Sequence, residues 1–121
     1  MHKIKDLKIW IRSKELAVNV YKATGNFPTE ERFGLTSQIR KASVSIPSNI
    51  SEGAGRNSRK EFSYFIGIAL GSLFDLQTQL ILANRLKMID EETTRPLLDE
   101  IEALRKMKYA LQQKFTQTPH I

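Results

Sequence analysis

The spacing of the apolar residues limits the fold of this chain more than any other feature of its sequence. In four separate segments they recur every three or four positions, as in Leu35, Ile39, Ala42, Ile46 and Ile50. Side chains at this spacing lie on one side of an α-helix, so each segment predicts a helix with one apolar face. No segment alternates apolar and polar residues as a half-buried strand does. The sequence therefore predicts an all-α fold, an antiparallel up-and-down four-helix bundle.

The four predicted helices fill one domain, residues 1–121, since a chain of this length builds a single core. Their predicted bounds are about 7–24, 30–52, 58–86 and 91–115. Two starts are open: the second helix begins between Thr29 and Thr36, and the fourth between Asp90 and Thr94. Pro96 favours the later start of the fourth helix, because proline is tolerated in the first turn.

Capping residues and an interior proline refine these bounds. Asp6 is the predicted N-cap of the first helix, and Ser58 with Glu61 matches the S-x-x-E capping box at the start of the third. Pro47 lies inside the second helix, where it removes one backbone hydrogen bond. We expect a kinked but continuous helix there; a break into two helices is the alternative.

The third predicted helix is apolar around much of its circumference, because Phe65, Ile68 and Leu70 widen its apolar face. Such a helix is buried more deeply than its neighbours, or it also faces a second subunit. Its most apolar stretch, residues 65–76, is predicted to be too short and too polar to span a bilayer. The N-terminus lacks the apolar core of a signal peptide. We therefore expect a cytoplasmic protein without membrane contact.

No residue pattern predicts an enzyme active site. There is no cysteine, and the two histidines, His2 and His120, lie near the termini, where packing does not hold a side chain in place. The turn from Gly53 to Gly55 resembles a phosphate cradle, but it matches neither the Walker pattern nor the dinucleotide fingerprint. We expect a non-enzymatic protein with no catalytic residue, no metal and no cofactor.

Charge is the main functional signal. The net charge is +6, and residues 90–102 hold six acidic side chains against one basic, so the rest of the chain is strongly basic. A basic surface favours RNA or other nucleic acid through phosphate contacts; an ordinary solvated surface is the alternative. Against nucleic-acid binding, no aromatic side chain for base stacking is obviously exposed. The candidate contacts are Arg12, Lys14, Arg40, Lys41, Arg56, Arg59 and Lys60.

Two further sets of residues predict contacts between helices or subunits. Several polar residues share a second face of the second helix, beside its apolar face, which predicts a polar network at an interface. Two glycines four positions apart give the third helix a small-residue face. This face fits either a close helix crossing within the bundle or an oligomer interface. The candidates in the two sets are Gln38, Ser45, Pro47, Asn49, Glu52, Gly67 and Gly71.

Several longer stretches match a known family. They are Asp6-Leu7-x-x-Trp10, Val20-Tyr21, Phe27-Pro28-x-Glu30-Glu31-x-Phe33-Gly34-Leu35-Thr36-x-Gln38-Ile39-Arg40-Lys41-Ala42, Ser45-Ile46-Pro47-x-Asn49-Ile50-x-Glu52-Gly53, Glu61-Phe62-x-x-Phe65 and Ile68-Ala69-x-Gly71-Ser72-Leu73. Through them the sequence resembles the four-helix-bundle proteins encoded within intervening sequences of bacterial 23S ribosomal RNA genes, over about residues 5–85. Ser51, where that family usually has alanine, and Pro96 depart from the pattern.

This resemblance implies a bundle that assembles into a ring, a homopentamer. It also implies a relative, the accessory protein of diversity-generating retroelements, which is a basic pentamer that binds nucleic acid and its reverse transcriptase. Two functions are expected as alternatives. The first is an oligomeric basic module that binds RNA or other nucleic acid non-specifically through phosphate contacts. The second is a protein–protein interaction scaffold or adaptor for a partner that handles nucleic acid.

Overall fold

The computed structural model describes residues 7–116, without the side chains of residues 108–110 and 112–116. Its elements are α1 (Lys8–Ala23), a 3-10 turn (Thr29–Glu31), α2 (Leu35–Ala54), α3 (Arg59–Arg85) and α4 (Glu91–Thr116). Each helix packs against the next one, and α4 returns to contact α1. The described part of the chain contains no strand, and the predicted all-α four-helix bundle is confirmed.

The core lies between the four helices and consists of their predicted apolar faces. Val20, Ile39, Leu76 and Leu104, one from each helix, are completely buried. Helices α2 and α3 share the most extensive contact. Phe62, at the start of α3, is the largest of the fully buried side chains. Because burial of one such side chain stabilises the fold by about 1.5–3 kcal/mol, this shared core holds the four helices in place.

The second helix starts near the late end of the predicted range from Thr29 to Thr36. Residues Thr29–Glu31 form a separate 3-10 turn, and α2 begins at Leu35, after Gly34. Thr36, a candidate cap, is instead buried within the helix. The carboxylate of Glu31 satisfies part of the helix start, since its Oε1 accepts a hydrogen bond from the Leu35 backbone N–H at 3.3 Å. The start of α2 thus lies within the predicted range, although after the approximate bound at residue 30.

The fourth helix starts earlier than Pro96 suggested. It begins at Glu91, and Asp90 caps it, because Asp90 Oδ1 accepts a hydrogen bond from the Thr93 backbone N–H at 2.8 Å. The hydroxyl of Thr94 donates to the Asp90 carbonyl oxygen at 2.6 Å. Pro96 thus lies inside the helix, and the preference for a later start is wrong. Pro96 has no N–H to donate to the helix carbonyl one turn earlier. Because Pro96 is exposed, water can reach this part of the helix.

Helix continuity and capping otherwise follow the predictions. Helix α2 runs unbroken through Pro47, as expected. Ser58 caps α3, since its Oγ accepts a hydrogen bond from the Glu61 backbone N–H at 3.1 Å. Asp6, the predicted cap of α1, lies outside the described residues, and Leu7 occupies the position before α1.

The reversal from α3 to α4 is tight and closed by backbone hydrogen bonds. Lys87 has φ 62°, in the left-handed region that usually favours glycine. Its N–H donates to the Asn84 carbonyl at 3.0 Å, and the Met88 N–H donates to the Ala83 carbonyl at 2.9 Å. This is the Schellman pattern, which satisfies two carbonyls at the end of α3 and sends the chain directly into α4.

Helix α3 is long and apolar enough, by length and composition alone, to cross a membrane. The prediction that residues 65–76 are too short and too polar to span a bilayer concerned that stretch alone, whereas this comparison concerns the longer helix, Arg59–Arg85. One side of α3, from Phe62 to Ala83, is buried against the other helices. Core helices of bundles have this composition as well. The cytoplasmic location stays a prediction.

Candidate functional site

The seven candidate cations do not gather on one surface. The side chain of Arg12 reaches from α1 to α4, where its Nε donates to Glu100 Oε2 at 2.8 Å. A second bond joins the same two side chains. The hydrogen bonds to Glu100 raise the pKa of Arg12, so this guanidinium stays charged but is neutralised by its partner. It is therefore a weaker candidate for a phosphate contact than a cation without a carboxylate partner.

Lys14 and Arg40 lie together on the side of the bundle formed by α1 and α2. Lys14 Nζ is 4.7 Å from the centroid of the Trp10 ring, and the Arg40 guanidinium is 4.6 Å from that of Tyr21. Arg40 also donates to Thr24 Oγ1 at 2.8 Å and to the Tyr21 carbonyl at 3.3 Å. All of these partners are neutral, so both cations are held in place while their positive charge remains uncompensated.

The turn between α2 and α3 holds the next group of cations. Arg56 pairs with Glu52 one helical turn earlier, and its guanidinium lies 5.0 Å from the centroid of the Phe65 ring. Arg59 and Lys60 are exposed in the first turn of α3 and form no hydrogen bond or ion pair with another described residue. Lys41 is likewise exposed, on the outer side of α2. These three cations are free to meet an external anion.

A shallow groove lies between α1 and α2 on the outside of the bundle. Its walls are apolar, and the charged residues that line it are Lys14 and Lys22. We call this surface the α1–α2 groove; its apolar residues are Ala17, Val18, Tyr21, Val44 and Pro47. No carboxylate is among the described residues that line it. It therefore combines an apolar floor with positive charge.

The predicted polar network on α2 is present in part. The Oγ atoms of Ser45 and Ser72 are 2.8 Å apart, which joins α2 to α3. Asn49 Nδ2 donates to the Ser45 carbonyl at 2.8 Å and to Ser45 Oγ at 3.0 Å. Glu52 pairs with Arg56 instead, and Gln38 is exposed and takes no part in the network. This network lies inside one chain, and its member Ser72 was missed because sequence spacing shows no contact between helices.

Gly67 and Gly71 lie on the side of α3 that faces away from the bundle. A Cβ atom built on either residue meets nothing within 4 Å, so no helix of this chain crosses closely there. The reading as a close crossing within the bundle is wrong for these two residues. Large apolar side chains are exposed along the same helix. We call them, with the two glycines, the outer face of α3; they are Tyr64, Ile68, Phe74, Ile81 and Leu82, together with Leu86 directly after the helix.

Exposed aromatic side chains are a feature that the sequence reasoning missed. Phe33, beside the start of α2, is 90% exposed, and Tyr64 on α3 is 65% exposed. Phe74 and Tyr21 are also exposed. The expectation that no aromatic ring is available for stacking is therefore wrong. Phe33 has the guanidinium of Arg32 5.5 Å from its ring centroid, which places a cation next to the most exposed ring.

A second groove, between α3 and α4, has the opposite charge. We call it the α3–α4 groove; Ile81 and Leu98 line it together with Glu91, Asp99 and Glu102. Arg95 is the one cation in its described lining, and it pairs with Glu91 at 3.0 Å. The hydrogen bond from Arg105 lowers the pKa of Glu102, so this carboxylate stays ionised at neutral pH. Because Arg95 and Arg105 neutralise Glu91 and Glu102, the uncompensated negative charge of this groove is that of Asp99, beside the outer face of α3.

The described residues also bear on metal and acid–base chemistry. Across residues 7–116, as far as their side chains are described, no three His, Asp or Glu side chains gather as metal ligands would. His2 and His120 lie outside the described residues. The expectations of no metal, no cofactor and no catalytic residue remain predictions.

A solved structure with a similar fold has been determined by crystallography at 1.70 Å resolution. It is a protein of unknown function from the S23 ribosomal protein family of Bacteroides thetaiotaomicron. The two chains share a TM-score of 0.77 and 25% sequence identity, over 86% of this chain and 97% of the other. No curated protein sequence matches this chain.

The family comparison extends further along the chain than the resemblance seen in the sequence. Residues 5–110 match the family described as 23S rRNA-intervening sequence protein. The match therefore includes most of α4, where the motifs themselves were few. With a matching family over most of its length and a bundle like that of the S23 relative, this chain belongs to the 23S rRNA-intervening sequence protein family.

Proposed function

We propose that this protein is a non-enzymatic, self-associating basic module that binds RNA or other nucleic acid through phosphate contacts. The observation that carries the proposal is the uncompensated positive charge at one end of the bundle. There the start of α1 meets the turn between α2 and α3. We call this surface the basic end; its residues are Lys8, Arg56, Arg59 and Lys60, of which Arg56 pairs with Glu52 and the other three supply the uncompensated charge.

The two ends of the bundle differ in charge. Residues 52–61, at the basic end, contain two carboxylates, and one of them, Glu52, is taken up by Arg56. At the opposite end, residues 22–34 and 85–92 together hold four basic and five acidic side chains. Polyanions are attracted to the end where cations exceed carboxylates, so nucleic acid is expected to approach the basic end.

Flexible, exposed lysine and arginine side chains suit phosphate contacts rather than base readout. Arg59 and Lys60 lie in the first turn of α3, where backbone N–H groups also favour an anion. Each phosphate that a cation neutralises releases counterions, so affinity falls as salt rises, with little dependence on sequence. Self-association would multiply the cations that face one nucleic acid and so raise the overall affinity. A homopentamer stays a prediction from the family resemblance.

The test compares charge reversals at the two ends of the same helix. Fluorescence anisotropy with a labelled single-stranded RNA and a labelled RNA hairpin, measured across a salt series, gives the affinity and its salt dependence. The double variant Arg59→Glu/Lys60→Glu is expected to bind at least about tenfold more weakly at low salt. The magnitude of its slope of log affinity against log salt should fall by about 1.4–1.8, since two phosphate contacts are lost.

The matched control is Arg85→Glu/Lys87→Glu, which reverses two charges at the other end of α3 and changes the net charge equally. This control should keep most of the affinity and the wild-type slope. Equal losses in the two variants would show that only net charge matters, and the absence of binding at low salt would contradict the proposal. Circular dichroism of each variant shows whether the bundle remains folded.

A second candidate function, a protein–protein interaction scaffold, is favoured by the outer face of α3. Phe74 is 47% exposed there and Tyr64 is 65% exposed, beside two glycines that no other helix covers. Exposed apolar surfaces of this kind are typical of protein interfaces. Under this function, Phe74→Glu would abolish the capture of a partner protein from nuclease-treated extract, while Arg59→Glu/Lys60→Glu would leave that capture unchanged.

A further inference from the structure

Two sides of this bundle carry apolar surfaces that no other described residue covers, and they differ in charge. The α1–α2 groove presents Val18 and Val44, both about two-fifths exposed, together with Lys14 and Lys22. Arg40 adds a third cation next to it, fixed against Tyr21 by the hydrogen bonds described above. This side of the bundle is apolar and positive.

The other side combines the outer face of α3 with the α3–α4 groove. Phe74 and Ile81 are exposed on α3, and Ile81 and Leu98 line the groove. Of the three carboxylates that line the groove, Glu91 pairs with Arg95 and Glu102 pairs with Arg105, so Asp99, which forms no ion pair with another described residue, supplies the uncompensated negative charge. This side of the bundle is apolar and negative.

The topology places these two surfaces on opposite sides of the molecule. The helices contact one another in the order α1, α2, α3, α4 and back to α1. The pair α1 and α2 therefore forms one side of the bundle, and the pair α3 and α4 forms the other. One copy can present its positive surface to a second copy and its negative surface to a third at the same time.

We propose that the α1–α2 groove of one copy receives the outer face of α3 and the α3–α4 groove of a second copy. This inference rests on the self-association that forms part of the proposed function. Complementary charge selects this pairing, because Lys14 and Lys22 meet Asp99 and the neighbouring carboxylates across the contact. Gly67 and Gly71 let the second copy approach the backbone of α3 closely.

Charge also disfavours the symmetric alternatives. Two α1–α2 grooves placed face to face would bring Lys14 and Lys22 of both copies together. Two α3–α4 grooves would bring their carboxylates together. Like charges opposed in this way weaken association. The contact is therefore head to tail, so each added copy leaves one surface of each kind free until the assembly closes.

The test blocks one surface at a time and then mixes the blocked chains. Val18→Glu/Val44→Glu places charges in the α1–α2 groove, and Phe74→Lys/Ile81→Lys places charges on the opposite side. All four side chains are exposed, so both variants should keep the bundle, which circular dichroism checks. Light scattering of the wild type should give a mass of several chains, and each variant alone should give the mass of one chain.

Mixing the two variants in equal amounts should restore a single contact and give twice the mass of one chain, because each partner keeps one intact surface. Phe33→Glu, which alters the most exposed aromatic ring outside both surfaces, is the control and should assemble as the wild type does. A mixture that stays at the mass of one chain overturns the inference. The inference is also overturned if the Val18→Glu/Val44→Glu variant assembles as the wild type does. It is overturned as well if Phe33→Glu is the one variant that fails to assemble.

Failure of this inference is distinguishable from failure of the proposed function. If the wild type has the mass of one chain at every concentration, self-association is absent and both fail. If the wild type assembles and binds RNA but the mixture does not form a pair, only the head-to-tail contact is overturned. Assembly without RNA binding leaves the contact intact and overturns nucleic-acid binding.

Discussion

Two regions of this bundle contain glycine inside a helix, and the surroundings of those glycines differ completely. At Gly53, near the end of α2, a Cβ atom would lie 2.8 Å from Phe65 Cβ and 2.9 Å from Phe62 Cδ1. On the outer face of α3, a Cβ atom at Gly67 or Gly71 would meet nothing within 4 Å. The first glycine lets α2 and α3 approach each other, whereas the other two serve no contact within the chain.

The difference shows which surfaces the fold itself accounts for. Glycine inside a helix costs about 0.5–1 kcal/mol relative to alanine, and close packing at Gly53 offsets that cost. Among the described residues, no contact offsets it at Gly67 and Gly71. Together with the exposed rings of Tyr64 and Phe74, this imbalance supports the proposal that the outer face of α3 contacts another molecule.

The largest expected effect compares the two sides of α3 with the same substitution. Phe62→Ala removes a buried ring that is 1% exposed, and we expect it to lower the free energy of unfolding by about 3–5 kcal/mol. Phe74→Ala on the outer face should change it by less than about 1 kcal/mol when the protein is dilute. Urea denaturation of both variants measures the difference. Equal losses would show that the outer face is part of the core of one chain.

A smaller effect is expected at the packed glycine. Gly53→Ala forces its methyl group against Phe65 Cβ and the ring of Phe62, and the Phe62 carbonyl is 3.3 Å away. Since α2 and α3 must separate to make room, we expect a loss of about 1–3 kcal/mol in the free energy of unfolding. Urea denaturation again measures it. A variant as stable as the wild type would show that α2 and α3 can separate at this contact with little loss of stability.

The exposed glycines should respond in the opposite direction. Gly67→Ala and Gly71→Ala each add a methyl group in open space, and each should stabilise the dilute protein by about 0.5–1 kcal/mol through helix propensity. The same methyl groups should weaken self-association if a second copy packs on this face. Denaturation at several protein concentrations separates the two effects. A loss of stability at high dilution would contradict the comparison.

The smallest expected effect concerns Asp90, whose exposed carboxylate caps α4. Hydrogen bonds from Thr93 lower the pKa of Asp90 below its ordinary value of 3.8. A lowered pKa in the folded state means that the contribution to stability is present above 3.8 and is lost as the pH falls through the folded value. Asp90→Ala should therefore be less stable than the wild type at neutral pH, and the difference should narrow in acid. Thermal unfolding of both proteins across a pH series measures this difference in stability. A difference that does not change with pH would contradict a role for the ionised Asp90 carboxylate in capping.

Much of the fold could be predicted because periodicity is a property of each helix alone. The apolar face of α2, from Ile39 to Ile50, and the Ser58 cap of α3 required no knowledge of neighbouring helices. The start of α2 could not be predicted from its threonines, because the carboxylate of Glu31 acts from a separate turn. Pro96 predicted too late a start for α4, because the Asp90 carboxylate caps the helix and lets it begin at Glu91, before the proline.

The candidate site was predictable in its residue types and not in its arrangement. The sequence shows that Arg12 and Arg59 are basic, but only the packing of α1 on α4 shows that Glu100 neutralises one of them. Ser72 was missed for the same reason, since its partner Ser45 lies on another helix. The exposed position of Phe33 also depends on how the turn before α2 projects from the bundle, and the spacing of apolar residues does not predict this.

The left-handed residue Lys87 has a consequence for how this surface can change. The reversal there contains few residues, so it has little slack to absorb a change in length. One residue inserted within the first turn of α4 would rotate the helix before it by about 100° relative to the rest, because a helix has about 3.6 residues per turn. Burial of Leu97 and Leu104 in the core opposes any rotation of the rest of α4. The short reversal and the buried face of α4 therefore act together to keep Leu98 and Asp99 beside Ile81.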